Sequence, residues 1–349
     1  MKIVSLVPLA AEYQDKIRAV DPSIELVSAP GWFDGELREA WGDHTADAYL
    51  RPGSNGSGTR AERDALLVDA DIVVSGFPPP IDLVARAPKL RWFHQTPAGA
   101  SNLLDCDLWG SEVVVTTSRG LGNTLAIAEY VVAAFLHFAR GLHRAEADRT
   151  AGRFDRLGYR PRLLAGKTAC VVGAGGIGRD VGRLCAALGM RVVGTRRDPN
   201  GDGDGVLPEG FDEVAGPDRL HKLLAESTFV AVCCHWTPET EGLIDAQALA
   251  AMPDGAVIVN VARGEVIDEA ALADALDRLG GAALDVYVGE FDHPPPESLW
   301  HHPNVLLTPH ISAGAEDRSA RPIELFRSNL AAFLAGEPMQ NVIDWERGY

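Results

Sequence analysis

The stretch that decides the fold is Gly173-Ala174-Gly175-Gly176-Ile177-Gly178, a glycine-rich turn between two segments of different periodicity. It is preceded by Thr168-Ala169-Cys170-Val171-Val172, a short β-prone apolar run of the kind that forms a buried strand. It is followed by residues 177–188, in which apolar side chains recur at helical spacing. A strand, a G-x-G-x-x-G turn and an amphipathic helix in this order are typical of a site that binds the diphosphate of a dinucleotide.

Each glycine of this turn has its own expected role. Gly173 permits the tight turn, Gly175 lets the backbone approach a diphosphate, and Gly178 allows the helix to pack closely on the strand. The unpaired N–H groups and the positive dipole end of the helix would then hold the anion. A turn with a purely structural role is the alternative, because glycine is common in this chain, with 36 residues.

The end of the second predicted strand of this domain bears on which dinucleotide is bound. A site specific for NAD usually has an acidic residue about 20 residues past the glycine turn, where it binds the ribose 2′-hydroxyl. The corresponding segment here is Thr195-Arg196-Arg197-Asp198. A guanidinium group cannot accept a hydrogen bond from that hydroxyl, but it pairs well with a 2′-phosphate. We therefore expect Thr195, Arg196 and Arg197 to bind NADP(H); NAD(H), bound through Asp198, is the alternative.

Short apolar runs alternate with helical or loop segments along the chain. The runs lie at 3–7, 24–27, 72–75, 90–94 and 113–116, and then at 169–172, 191–194, 229–234, 257–261, 283–286 and 305–308. One long apolar helix is predicted at 123–147, with others at 177–188, 269–279 and 316–334. This alternation predicts an α/β protein with two doubly wound parallel sheets.

Size, charge and composition limit the class of protein. A chain of 349 residues is long enough for two domains, and 46% hydrophobic with 23% charged residues is typical of a soluble globular protein. A net charge of −17 argues against a nucleic-acid binder, which carries a basic surface. No apolar run predicts a secretory signal or a membrane span. The five cysteines lack metal-ligand spacing, so we expect reduced thiols, no metal site and a cytoplasmic protein.

Three charged residues, Arg263, Glu290 and His310, each lie at or beyond the carboxyl end of a predicted strand. Ligands of open α/β sheets bind at these ends, so the three side chains are expected to converge. Arg263 offers a planar fork of donors for a carboxylate, and His310 offers a proton as general acid. Glu290 would orient the imidazole and stabilise its charged form.

Taken singly, each of these residues has a simpler explanation. Arg263 could form a structural ion pair, His310 could lie in the core or on the surface, and Glu290 could be solvated. Their combination behind one nucleotide motif favours reduction of a 2-oxoacid by hydride transfer, with neutral His310 as the general base in the reverse direction.

Four ordered stretches resemble the D-isomer-specific 2-hydroxyacid dehydrogenase family over essentially the whole chain. They are residues 173–178, Asn260-Val261-Ala262-Arg263-Gly264-Glu265-Val266-Ile267-Asp268, Gly281-Ala282-Ala283-Leu284-Asp285-Val286-Tyr287 through Glu290, and Leu307-Thr308-Pro309-His310-Ile311-Ser312. The resemblance implies that Arg263, Glu290 and His310 are the catalytic triad. It places Asp285 near the nicotinamide carboxamide. We also expect cofactor contacts from Gly173, Gly175, Gly176, Ile177, Gly178, Val261, Ala262, Arg263, His310 and Ser312.

The same resemblance implies a flavodoxin-like substrate domain and a Rossmann cofactor domain with a cleft between them. The substrate domain is expected to be discontinuous, formed by residues 1–121 plus 315–349, and the cofactor domain to be 122–314. A homodimer is the family's usual state, so we expect one here.

A segment of the first domain, Thr96-Pro97-Ala98-Gly99-Ala100-Ser101, looks like the family's substrate loop. Backbone N–H groups at Ala98 and Gly99 are expected to receive the substrate carboxylate, together with the side chains of Arg263 and His310. The substrate would be a small anionic 2-oxoacid or 2-hydroxyacid, whose identity the sequence does not fix.

Three features depart from the family's pattern. Ser101 stands where relatives often carry Asp, His235 stands where Pro is common, and the acidic residue after the second cofactor strand is missing. Glu290, in place of Gln, argues against the formate dehydrogenase subfamily.

The hypothesis that these features favour is an NAD(P)H-linked 2-oxoacid reductase of the glyoxylate/hydroxypyruvate reductase type. The alternative is a nucleotide-sensing binding protein, because the C-terminal-binding-protein corepressors resemble the same family. A third hypothesis is another activity on the same fold, such as phosphite oxidation.

Overall fold

The computed structural model describes residues 1–120, 123–199, 206–316 and 320–349. The chain forms two compact units, each described here by itself. Unit 1 comprises Met1–Gly122, Phe291–His293 and Asp317–Tyr349, and unit 2 comprises Asn123–Glu290 and Pro294–Glu316. The sequence-based boundaries, 1–121 plus 315–349 and 122–314, differ from this division by one or two residues. They also place the short segment Phe291–His293 in the other domain.

Unit 1 contains a five-stranded parallel sheet in the order β2-β1-β3-β4-β5. Its strands are β1 (Lys2–Ser5), β2 (Glu25–Ser28), β3 (Ile72–Ser75), β4 (Trp92–Gln95) and β5 (Val114–Thr117). Its helices are α1 (Ala11–Arg18), α2 (Asp34–Tyr49), α3 (Arg60–Leu67), α4 (Leu83–Arg86) and, near the end of the chain, α12 (Ala320–Ala335). This strand order is the flavodoxin-like one, as the sequence predicts.

Unit 2 contains a seven-stranded parallel sheet in the order β12-β11-β10-β9-β6-β7-β8. Its strands are β6 (Thr168–Val172), β7 (Arg191–Thr195), β8 (Glu213–Ala215), β9 (Phe229–Val232), β10 (Val257–Asn260), β11 (Gly281–Leu284) and β12 (Val305–Leu307). The sequence predicts six of these seven strands. β8 is missed because its three residues, Glu213-Val214-Ala215, include a charged one and form no apolar run. The order from β6 outward is that of a dinucleotide-binding sheet.

The helices of unit 2 are α5 (Thr124–Ala139), α6 (Leu142–Thr150), α7 (Gly176–Ala187), α8 (Leu220–Ala225), α9 (Ala246–Ala251), α10 (Glu269–Ala275) and α11 (Glu297–Trp300). The prediction of one helix over 123–147 is wrong, because the chain breaks at Gly141. That residue has φ +70, a left-handed conformation that ends α5 and that glycine adopts without a steric penalty.

The central sheet of unit 2 is covered on both faces. Alternate residues of β9 enter two different apolar clusters: Val230 and Val232 belong to one, Phe229 and Ala231 to the other. The two-residue period of a strand causes this division, and it explains why the strand reads as a continuous apolar run. The buried face of α5 packs into the second cluster.

Within the described residues, no single helix is long and apolar enough to cross a membrane. The bent pair α5 and α6 meets that test jointly, by length and composition alone, with a bend of 63°. The described ranges also contain no group of three or more His, Cys, Asp or Glu side chains that could hold a metal ion.

Candidate active site

Three neighbouring strands carry the three predicted catalytic residues. β10, β11 and β12 are adjacent and parallel, so their carboxyl ends lie at the same edge of the sheet. Arg263 follows β10, Glu290 lies beyond β11 and His310 follows β12. The fold of unit 2 therefore brings residues from separate parts of the sequence to one edge, where ligands of such sheets bind.

Glu290 and His310 are in direct contact. His310 Nδ1 lies 3.1 Å from Oε1 and 3.2 Å from Oε2 of Glu290. The Glu290 side chain is 8% exposed and that of His310 is 27% exposed. A carboxylate accepts hydrogen bonds only, so Nδ1 is the donor in this pair and carries a proton. Proton exchange by this imidazole would then take place at the second ring nitrogen, Nε2.

Arg263 is held by a turn that the side chain of Asn260 organises. Asn260 Nδ2 donates to the Arg263 carbonyl at 2.8 Å, and its Oδ1 accepts from the Ala262 N–H at 3.0 Å. The next residue, Gly264, is needed for packing, since a Cβ there would overlap the backbone of Tyr287 and Val288. This close approach ties the turn after β10 to the segment that leads to Glu290.

The pKa of the Glu265 carboxyl is influenced by both Glu290 and Arg263. Burial is the main cause that raises the pKa of the Glu265 carboxyl, and the negative charge of Glu290 raises it further. Backbone N–H groups, including that of Gly289, and the positive charge of Arg263 act in the opposite direction. Glu265 is thus near both Glu290 and Arg263, in a cluster of mixed charge at the sheet edge.

The glycine turn has the shape that a diphosphate site requires. Gly173 has φ +100, and a Cβ there would lie 2.7 Å from the backbone of Cys234. At Gly178 a Cβ would overlap the Gly173 carbonyl, so the helix packs too closely for a side chain. At Gly175, in contrast, a Cβ would have no atom within 4 Å, so the backbone faces open space. These are the three roles predicted for the glycines.

The start of α7 is suited to an anion. In the part of the chain that the structure describes, no side chain caps this helix, so its first N–H groups, at Gly176 and Ile177, point outward from the turn. Thr195, a predicted cofactor residue, is 5% exposed, and its carbonyl accepts the N–H groups of Gly173 and Ala174 at 3.0 and 2.8 Å. Thr195 therefore holds the turn in place. The residues of this site fit a bound dinucleotide.

The two arginines lie at the end of β7, as predicted. The Arg196 N–H pairs with the Ala215 carbonyl at 2.9 Å, and its side chain is half-buried, while Arg197 is exposed. A hydrogen bond from Thr237 lowers the pKa of Glu239, and so, to a smaller extent, does the charge of Arg197. The loop after β9 therefore approaches the arginine pair. Residues 200–205, which follow the arginines in the sequence, lie outside the described residues.

Two further predicted cofactor residues, Val261 and Ala262, are each 7% exposed. The Val261 N–H donates to the Val232 carbonyl at 3.2 Å, and the Ala262 N–H is used by Asn260. A cofactor contact at these residues would therefore come from a carbonyl or a side chain.

Asp285 and Ser312 belong to one hydrogen-bonded unit. The carboxylate of Asp285 is 1% exposed, and its Oδ2 accepts the Ser312 N–H at 2.9 Å. Asp285 thus supports the loop that carries His310.

The predicted substrate residues Ala98 and Gly99 lie in unit 1, in the segment after β4. Gln95 donates from Nε2 to the Gly99 carbonyl at 2.7 Å, which fixes this segment against the end of the strand. Gly99 is followed by a short 3-10 turn, Ala100–Leu103. Arg263 and His310, the other predicted substrate residues, lie in unit 2.

Sequence reasoning missed three polar residues that organise the site: Asn260, Thr308 and Tyr130. Tyr130 is 2.7 Å from Thr308, from hydroxyl to hydroxyl, although 178 residues separate them. A signal existed, because each is a polar group at the end of an apolar strand or within an apolar helix. Such groups need a hydrogen-bond partner when they are buried.

Comparisons with known proteins agree with this architecture. Residues 132–312 match the family described as D-isomer specific 2-hydroxyacid dehydrogenase, NAD binding domain. The glyoxylate reductase of Korarchaeum cryptofilum is 32% identical over 289 residues, which cover 80% of this chain and 84% of that protein. The D-3-phosphoglycerate dehydrogenase of Methanocaldococcus jannaschii is 29% identical over 293 residues, 82% of this chain but 54% of that protein. The chain spans about half the length of the phosphoglycerate dehydrogenases it matches.

A solved structure matches the whole chain. The D-isomer specific 2-hydroxyacid dehydrogenase from Xanthobacter autotrophicus Py2, crystallised with NADPH and MES, superposes with a TM-score of 0.74. It is 29% identical and covers 100% of this chain and 99% of its own. With a family match over more than half of its length, the chain belongs to the family of NAD(P)-dependent, D-isomer-specific 2-hydroxyacid dehydrogenases.

Proposed function

We propose that this protein reduces a small 2-oxoacid to the D-2-hydroxyacid, with NADPH as the preferred reductant. The observation that carries the proposal is the Glu290–His310 hydrogen bond at the carboxyl edge of a dinucleotide-binding sheet. A histidine held by a buried carboxylate at such an edge is suited to proton transfer, and the glycine turn is suited to the dinucleotide.

The reduced nicotinamide, when bound, supplies a hydride to the carbonyl carbon of the substrate. His310 supplies the matching proton from Nε2 to the carbonyl oxygen, because Nδ1 is engaged by Glu290. The negative charge of Glu290 favours the protonated imidazole that reduction requires. In the oxidative direction neutral His310 takes the hydroxyl proton at Nε2, and Glu290 again stabilises the imidazolium that forms.

Arg263 binds the substrate carboxylate in this proposal. Its guanidinium group offers parallel N–H donors, which match the two oxygens of a carboxylate. The turn that Asn260 organises and the close packing at Gly264 both restrict where this side chain can go. Orientation of the substrate by such a pair supports catalysis by proximity as well as binding.

The preference for NADPH rests on Arg196 and Arg197. Both follow β7, where a dinucleotide sheet meets the adenosine ribose, and neither can accept from a 2′-hydroxyl. The structural relative from Xanthobacter autotrophicus was crystallised with NADPH, which supports the same preference. NAD(H), bound through Asp198, is the alternative cofactor.

A small substrate is favoured over a phosphorylated one. A glyoxylate reductase is among the relatives of this chain, matched over 80% of this chain and 84% of that protein. We therefore place the substrate among 2-oxoacids of the size of glyoxylate and hydroxypyruvate.

We also propose that the protein is a homodimer. Unit 2 exposes several large apolar side chains on α6 and the segment after it, namely Leu142, Phe154, Leu157 and Leu163. Exposed apolar surface of this kind is typical of an association site. Light scattering would give a mass of twice the chain's 37.3 kDa if the proposal holds, and the single-chain mass if it does not.

A steady-state screen tests the proposed reaction. We would measure NADPH and NADH oxidation with glyoxylate, hydroxypyruvate, pyruvate and phosphohydroxypyruvate, with Arg263→Ala as the inactive control. The expected result is turnover of a small 2-oxoacid, faster with NADPH, that is lost in the variant. Nucleotide binding without turnover of any acid would favour a nucleotide-sensing protein, and NADPH formation from phosphite would favour phosphite oxidation.

A further inference from the structure

A chain of hydrogen bonds leads from helix α5 to the loop that carries His310. The Tyr130 hydroxyl lies 2.7 Å from Thr308 Oγ1, and Thr308 Oγ1 lies 2.6 Å from Asp285 Oδ1. All three residues belong to unit 2. The Tyr130 ring packs against the apolar cluster around α5, so its hydroxyl is the polar tip of an otherwise apolar side chain.

These hydrogen bonds all point the same way, from Tyr130 through Thr308 to Asp285. The Asp285 carboxylate can only accept, so the Thr308 proton points to it, and the Thr308 oxygen must accept from Tyr130. Burial raises the pKa of Tyr130 to about 12, which keeps the phenol protonated as a donor. Each hydroxyl therefore has a fixed orientation over the pH range of interest.

The Asp285 carboxylate in turn folds the loop from Thr308 to Ser312. Oδ1 also accepts the Ile311 N–H at 2.8 Å, and Oδ2 accepts the Ser312 N–H at 2.9 Å. The His310 N–H donates to the Asp285 carbonyl at 3.0 Å. His310 has φ +51, a left-handed conformation that residues with a Cβ rarely adopt. The surrounding hydrogen bonds keep it there.

We propose that Tyr130 and Thr308 are positioning residues for His310: they fix the Asp285 carboxylate, which holds the strained backbone that presents the imidazole to Glu290. The role rests on the proposed function for its catalytic consequence. It does not require either hydroxyl to touch substrate or cofactor. A hydroxyl that only satisfies a buried group would affect stability and leave the Glu290–His310 pair unchanged.

Conservative variants separate these roles. Tyr130→Phe removes one hydroxyl, and Thr308→Val removes the link while keeping the side-chain shape. We expect each to lower kcat about three- to tenfold, because the loss of one hydrogen bond is felt in the placement of the imidazole. KM for NADPH should change less than kcat, since both hydroxyls act on the loop that carries His310 and the glycine turn keeps its own hydrogen bonds to Thr195. Thr308→Ser should restore kcat, because it returns the hydroxyl.

A double variant and a control variant test whether Tyr130 acts through Thr308. The double variant Tyr130→Phe with Thr308→Val should be no slower than Thr308→Val alone, because Tyr130 acts through Thr308. Tyr159→Phe is the matched control: its hydroxyl donates to Asp148 at 3.1 Å, in the same unit but outside this loop. It should lose some stability and keep kcat.

An NMR measurement that needs no turnover tests the positioning role separately from the proposed reaction. In protein with ¹⁵N-labelled histidine, the Nδ1 proton shared with Glu290 is observed directly by NMR and assigned with His310→Asn. We expect this resonance to shift or broaden in Tyr130→Phe and Thr308→Val, and to be restored in Thr308→Ser. An unchanged resonance in both variants, with only the melting temperature lowered, would overturn the positioning role whether or not the proposed reaction is found.

Discussion

Glu290 presents both carboxylate oxygens to a single nitrogen of His310, at 3.1 and 3.2 Å from Nδ1. Both side chains are largely shielded from solvent, at 8% and 27% exposure. Charge interactions that are partly buried are weakened less by water and salt than those on the surface. The charge of Glu290 is therefore expected to control the reactivity of the imidazole, and not only its orientation.

Replacement of Glu290 by Gln tests this control. Gln has the same shape but no charge, so the protonated imidazole loses its stabilisation. We expect kcat/KM for reduction to fall about 10- to 100-fold at neutral pH. The oxidative direction should be affected less, because it starts from neutral imidazole. The measurement is kcat/KM in both directions.

A second Glu–His pair in the chain supplies the control for that experiment. Glu297 and His301 lie 2.9 Å apart, but their side chains are 89% and 68% exposed. Glu297→Gln should leave kcat/KM unchanged in both directions, because solvent screens an exposed pair. Wild-type kcat/KM in Glu290→Gln would show that the charge of Glu290 does not act on His310.

Arg196→Asp is expected to reverse the choice of cofactor. The substitution removes a donor to a 2′-phosphate and introduces an acceptor for a ribose 2′-hydroxyl. We expect KM for NADPH to rise about 10- to 100-fold, equivalent to the loss of a charged hydrogen bond, while KM for NADH stays or falls. Steady-state kinetics with both cofactors measures the ratio.

Arg191 provides the matched control. It is a surface arginine at the start of β7, and it pairs with Glu213 and Glu226. Arg191→Asp should not alter the ratio of the two KM values. If Arg196→Asp and Arg191→Asp gave the same ratio as the wild type, the assignment of the 2′-phosphate to Arg196 would be wrong.

The strands of both sheets could be predicted because buried parallel strands have the same apolar pattern wherever they lie in the sequence. β8 could not, since Glu213-Val214-Ala215 forms no apolar run, whereas the equally short β12 is Val305-Leu306-Leu307. The break at Gly141 could not be placed either, because the residues on both sides of it favour helix and only the positive φ of the folded chain ends it.

The three candidate catalytic residues were singled out from the sequence because each follows a strand and carries a charge. Tyr130 was not, because α5 reads as an apolar helix and nothing local shows that its hydroxyl meets Thr308 after 178 intervening residues. Contacts of this kind depend on how helices pack on the sheet, which periodicity does not encode.

Two glycines should respond to alanine in opposite ways. Gly264→Ala forces a Cβ into the Tyr287 and Val288 backbone, so both the Arg263 turn and the segment leading to Glu290 must move. We expect a lower melting temperature and a loss of kcat/KM of about 100-fold or more. Gly175→Ala adds a Cβ that meets no atom within 4 Å, so the melting temperature should fall less than in Gly264→Ala. It should weaken NADPH binding, because the methyl group occupies room for the diphosphate.

Thermal melts and a titration with NADPH, followed by fluorescence, distinguish the two variants. A Gly175→Ala variant that bound NADPH as tightly as the wild type would contradict the role of Gly175 at the diphosphate. A fully stable Gly264→Ala variant would contradict the close packing after β10.

His94 in β4 makes the stability of unit 1 sensitive to acid. Its side chain is fully buried, and burial lowers its pKa from 6.5 to about 3. Trp92 donates to Thr116 Oγ1 at 2.8 Å, and His94 Nδ1 lies 2.9 Å from the same oxygen. Among the described residues, the buried Nε2 of His94 has no hydrogen-bond partner, so the native environment suits neutral imidazole.

The sign of the pH dependence follows from this lowered pKa. Between about pH 6.5 and pH 3 the unfolded chain binds a proton at His94 and the folded chain does not, so the free energy of unfolding falls as the pH is lowered through this range. From pH 7 to pH 5 the contribution of His94 to this loss is about 2 kcal/mol. His94→Leu should remove that part of the loss, although it costs about 1 kcal/mol at both pH values through the lost hydrogen bond to Thr116.

Urea unfolding at pH 7 and pH 5, followed by tryptophan fluorescence, measures the difference. We expect the His94→Leu variant to be slightly less stable than the wild type at pH 7 and at least as stable at pH 5. His301→Leu, at a side chain 68% exposed, is the control and should leave the pH dependence unchanged. If His94→Leu lost as much stability on acidification as the wild type, other groups would have to account for the acid sensitivity of unit 1, because leucine cannot bind a proton at this position.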